Sequence, residues 1–176
     1  MKKTGTLKII LYVVASFLLA VFQSTVGKKL GLFGVTAQMT LVLTVCAAYF
    51  HGPAAGAACG IAGGVFTEAI GSTGIVLLPL FYVLVGWVAG AKTVEAAEKH
   101  RSTGFLRYCA TLALSCLFGA LVTVIMTVLN ATKPHLLQVI LHIALPEALN
   151  TFIFGILLGL AHLAFKNIAR SKGTAK

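Results

Sequence analysis

The sequence predicts an all-α protein, a polytopic membrane bundle of six transmembrane helices in one domain, with both termini cytoplasmic. Three observations lead there. The 176 residues are 59% hydrophobic and 10% charged, and the mean hydropathy of +0.98 is far above that of a soluble domain. The apolar residues gather into runs near the length of about 20 residues that crosses a bilayer. The basic residues are also unevenly placed. With six spans and the N-terminus inside, Lys2, Lys3, Lys8, Lys92, Lys99, Arg101, Arg107, Lys166, Arg170, Lys172 and Lys176 share one side, against Lys28, Lys29 and Lys133 on the other. That is the positive-inside pattern, and five spans would lose it by moving the basic tail outside. Orientation signals of this kind account for the net charge of +10 without nucleic acid as a partner. The partner they imply is the lipid bilayer.

The first span, 9–26, follows Lys2, Lys3 and Lys8 and has no convincing small-x-small cleavage site, so it reads as an uncleaved signal anchor. Gln23, Ser24 and Thr25 close it. The second span covers 35–50, and His51-Gly52-Pro53 turns the chain into the third, 54–70, where proline suits a first helical turn. Gly52, Gly56, Gly60 and Gly64 recur at steps of four and leave one smooth face for close helix packing. The fourth span is 75–91, with Pro79 near its start and Tyr82 and Trp87 as packing or interfacial aromatics. The charged stretch Lys92 to Arg107 is a solvated loop with a helix extension, or a docking surface for a cytoplasmic partner. The fifth span, 104–129, ends at Asn130-Ala131-Thr132-Lys133-Pro134. Residues 136–145 are too few to cross, so they lie along the interface or extend the final helix. Pro146 is expected to open the sixth span, 146–165, with Glu147 in a first turn whose dipole favours negative charge.

Chemistry is scarce. Of the four acidic residues only Glu68 and Glu147 adjoin or enter spans, both in the outer half of the bundle under this topology. An ionisable group in hydrocarbon is a default functional-site candidate. One reading is a shared polar site that binds a partner or ligand through Glu68, Glu147, Asn150 and His142, with Thr67 nearby. The other is two separate helix-end residues, each hydrated on its own. Cys46, Cys59, Cys109 and Cys116 read as small core residues, without a CxxC pair or zinc spacing. No catalytic fingerprint, metal site or cofactor motif occurs, so no enzymatic activity is expected.

Several pieces together resemble the rod-shape-determining protein MreD family. They are Gln23-Ser24-Thr25, Leu32-Phe33-Gly34-Val35, Gly52-Pro53-x-x-Gly56, and the glycine-rich third span that ends in an acid before Gly71-x-x-Gly74. Leu84 to Gly90, reading Leu-Val-Gly-x-x-Ala-Gly, and the final Pro146-x-x-Leu149-Asn150 complete the set. The order and spacing fit from about residue 23 to 165. Two departures stand out. The family usually carries an acid in the approach to the second span, where this chain reads Thr36-Ala37-Gln38, and an aspartate where it has Glu68. The resemblance implies a non-catalytic part of the bacterial assembly for lateral peptidoglycan synthesis, in the cytoplasmic membrane. Its implied partners are an MreC-like bitopic protein, MreB-type cytoskeletal filaments, a RodA-type glycosyltransferase and a class B penicillin-binding protein. The family fold is also similar to the substrate-binding subunits of energy-coupling vitamin transporters, so a ligand-binding transport subunit is the competing expectation.

Overall fold

The computed structural model describes residues 3–27, 35–71, 77–97, 104–130 and 135–173, and all regular structure among them is helical. The expected turns at 28–34, 72–76, 98–103 and 131–134 lie outside the described residues. Helix α1 is Lys3–Phe22, running on as a π turn through Gln23–Gly27, and α2 is Met39–His51. Helices α3 (Pro53–Gly71), α4 (Leu77–Ala97) and α5 (Gly104–Asn130) follow. A short α6, Leu136–Val139, passes through a π turn at Ile140–Ala144 into α7, Leu145–Gly173. Among the described residues four stretches are long and apolar enough to cross a membrane, namely Ile9–Gly27, Pro53–Ile70, Gly104–Ile125 and Leu136–Ala164, and Met39–His51 and Leu78–Ala91 are shorter apolar helices. Leu11, Leu106, Leu117 and Leu137 lie exposed on the outside of the bundle. Such an apolar exterior suits lipid, where no water has to be displaced.

The shortest of these apolar helices sits at the centre. Every residue of α2 from Met39 to Ala48 is buried, and α2 touches α1, α3, α4, α5 and α7. A helix apolar all round needs either lipid or protein around it, and here protein encloses it. At its end Gly52 adopts φ +90°, which a side chain would resist, while its N–H still reaches Ala48 O at 2.9 Å. Pro53 then opens α3, as the sequence predicts.

The glycine stripe acts as expected at three of its four positions. A Cβ at Gly56 would meet Ala48 and the Gly86 carbonyl, one at Gly60 the Tyr82 carbonyl, and one at Gly64 the Pro79 backbone. Gly86 and Gly90 of α4 return the fit against Gly56 and Pro53, so α3 and α4 approach backbone to backbone. Gly52 has nothing within 4 Å of its would-be Cβ and serves the turn instead of the packing. On the other side of α2, Gly155 and Gly159 of α7 admit Leu112 and the Tyr108 ring of α5. The Tyr108 hydroxyl donates to Gly155 O at 2.8 Å and lies 3.2 Å from Cys46 Sγ, which joins α5, α7 and α2 inside the core. The four cysteines are free, three of them buried.

Pro146 does not open the last helix. The helical path runs unbroken from Leu136 through the π turn, whose final amide, Leu145 N–H, bonds Ile140 O. Proline has no N–H for a residue one turn back, and its ring crowds that carbonyl. A widened π turn just before it accommodates both defects. Glu147 therefore has no free helix N-terminus beneath it, and the dipole cannot be what offsets its burial. The 136–145 stretch is a helix extension.

Candidate functional site

The polar interior is concentrated where the chain enters α2. Residues 35–38 are not helical, yet Ala37 and Gln38 are buried. Irregular backbone at membrane depth is tolerated only where protein satisfies its polar groups. Here side chains from other helices supply the bonds. Asn150 Nδ2 donates to Val35 O at 2.8 Å, Gln38 N–H donates to Thr151 Oγ1 at 2.9 Å, and Met39 N–H donates to Gln23 Oε1 at 3.0 Å. The Thr151 hydroxyl donates in turn to Glu147 O at 2.6 Å. The end of α1 and the start of α7 thus act as caps for the start of α2.

Side chains continue the junction. Gln38 Nε2 donates to Glu147 Oε1 at 2.9 Å and reaches Thr123 Oγ1 of α5 at 3.3 Å. Two residues on, Thr40 Oγ1 lies 3.1 Å from Thr67 Oγ1 of α3 and donates to the buried Tyr82 hydroxyl of α4 at 3.3 Å. Gln38 and Asn150 are each 8% exposed and Thr151 1%. These are enclosed groups bonded mostly to one another, the arrangement that makes buried polarity tolerable.

The residues singled out by sequence fare differently. Glu147 and Asn150 meet at the junction, on adjacent turns of α7. Glu68 sits half-buried on α3, next in sequence to Thr67, whose hydroxyl meets Thr40. His142 is exposed on the π turn, outside the cluster. Sequence reading missed Gln38 as a participant, since it registered there only as an absent acid. Its partner lies 109 positions away, and the one available signal was a glutamine within an apolar approach. Trp87 is 55% exposed and takes no part in the interior.

Comparison with protein-family models, with curated proteins and with solved structures finds no match for this chain. What the junction can do chemically follows from its groups alone. It holds amides, hydroxyls and one carboxyl that bond to one another, and it offers no activated nucleophile with a base beside it.

Proposed function

We propose that this chain is a non-catalytic, MreD-type component of the bacterial cell-elongation complex. In this reading it is a six-span bundle of the cytoplasmic membrane with both termini inside, and it supports lateral peptidoglycan synthesis by binding partner subunits. One observation carries the reading. Gln23, Gln38 and Asn150, drawn from three separate segments on which the resemblance rests or from which it departs, meet around the start of α2. Residues that look like scattered signature pieces are thereby given one common task, which is to brace a broken helix. A bundle braced in this way presents a stiff, apolar outer face on which the transmembrane helix of an MreC-like protein can lie. MreB-type filaments, a RodA-type glycosyltransferase and a class B penicillin-binding protein complete the proposed assembly. The test is copurification in mild detergent with an MreC-like partner, together with depletion in a rod-shaped host. Rounded cells are expected, and rods of normal shape would contradict the reading.

A second reading, a vitamin-type transport subunit, is favoured by one feature, the two buried oxygens of Gln38 and Glu147 that no donor faces. Glu68, Glu147 and Asn150 would then recognise a polar ligand. Against it, Asn150 and Thr151 already hold backbone groups, and the chain's one tryptophan faces outward. A vitamin or nucleobase that raises the melting temperature of the purified protein would favour this second reading over the first.

A further inference from the structure

Gln38 Oε1 and Glu147 Oε2 are shut off from solvent and have no hydrogen-bond partner. They belong to the same two groups that the 2.9 Å bond from Gln38 Nε2 to Glu147 Oε1 already joins. A primary amide carries a donor and an acceptor side by side, and so does a carboxylic acid, whereas a carboxylate carries two acceptors and no donor. An ionised Glu147 would leave both oxygens unsatisfied in an apolar interior, where unmade bonds and unpaired charges cost the most. A single proton on Oε2 supplies the missing donor for both.

The surroundings supply no opposite charge among the described residues that face the carboxyl. From α2 comes the Gln38 amide, from α5 the Thr123 hydroxyl, and at longer range from α4 the Tyr82 phenol. Glu68 of α3, next to Thr67, is an acid and brings no cation. On the same helical stretch the nearest titratable side chain is His142, which is exposed. Gln38 Oε1 looks toward Gly119 of α5, where a Cβ would come within 3.1 Å of it, so the amide is held closely on that side.

We propose that Glu147 is a proton-binding site. Its Oε2–H donates to Gln38 Oε1 while Gln38 Nε2–H donates to Glu147 Oε1, and this reciprocal acid–amide pair joins α7 to α2. The proton comes from the aqueous phase. Its release leaves a carboxylate oxygen facing an amide oxygen, so the junction is intact only with Glu147 neutral. The assignment does not rest on the proposed function.

Infrared spectroscopy of the protein in lipid nanodiscs at neutral pH tests it. The spectrum should contain the carbonyl stretch of a protonated carboxyl, above the amide I band, lowered in D2O and missing from Glu147→Gln. That variant keeps a reciprocal pair, because a second amide offers the same donor and acceptor, and it is expected to fold. Gln38→Leu, read independently, should leave the acid band in place but raise its frequency, because both bonds to the carboxyl are lost. If Glu147→Gln removes carboxylate stretches instead of an acid band, the proposal is overturned and the two oxygens hold a cation or water. If the acid band does not move in Gln38→Leu, the reciprocal pair is overturned.

Discussion

Two seams of the bundle are held by opposite means. Between α3 and α4 the contact is made by absence of side chains: Gly56, Gly60, Gly64, Gly86 and Gly90 let backbones touch. Toward α5 and α7, at the start of α2, the contact is made by polar side chains that satisfy a non-helical backbone. In lipid the hydrophobic effect no longer drives helices together, so dispersion at close approach and interhelical hydrogen bonds are what remain. The α3–α4 seam relies on the first and the start of α2 on the second. The first means is unforgiving of size and indifferent to polarity, and the second is the reverse.

That contrast can be broken at either side. The largest effect is expected from Gly60→Leu, whose side chain has backbone in its way at Tyr82 and Val83. It should cost ~3 kcal/mol or more and lower the yield of folded protein in detergent. A fold that tolerates it would mean α3 and α4 are not in backbone contact. Next, Asn150→Leu preserves volume but leaves Val35 O without its donor, at an expected cost of ~1–3 kcal/mol in a denaturant titration of the micellar protein. Thr151→Val removes the acceptor of Gln38 N–H and should cost ~1–2 kcal/mol by the same measurement. An isosteric change that costs nothing would show that water reaches the start of α2. Glu147→Gln should stay within about 1 kcal/mol of the parent, because the amide keeps its place opposite Gln38. Smallest of all, His142→Ala, on an exposed site, should stay within about 0.5 kcal/mol in thermal melting.

The side built on small residues was the legible one. A stripe of glycines at steps of four is a local pattern, and it names a close-packed face before any partner is known. Only Gly52 departs from it, since a positive φ is a matter of the turn and not of the stripe. The apolar runs likewise announced α1, α3 and α5 within a few residues. The polar side was hidden for a physical reason. Val35 to Gln38 reads as the first turn of a span, and nothing local says that its backbone bonds go to residues more than a hundred positions away. Glu147 stands out in the sequence as an oddity, but the local pattern offers only a helix dipole to offset it. The helical path running unbroken from Leu136 leaves no helix N-terminus at Glu147, and Gln38 bonds the carboxyl instead.

The central claim is that Gln38 and Glu147 act as one unit joining α2 to α7. A double-mutant cycle with Gln38→Leu and Glu147→Leu, read as unfolding free energies in the same micelles, measures it directly. A favourable coupling of about 0.5–2 kcal/mol is expected, with the double variant less damaged than the sum of the two single ones. Strictly additive losses would contradict the account, because they would mean that the two side chains do not act on one another.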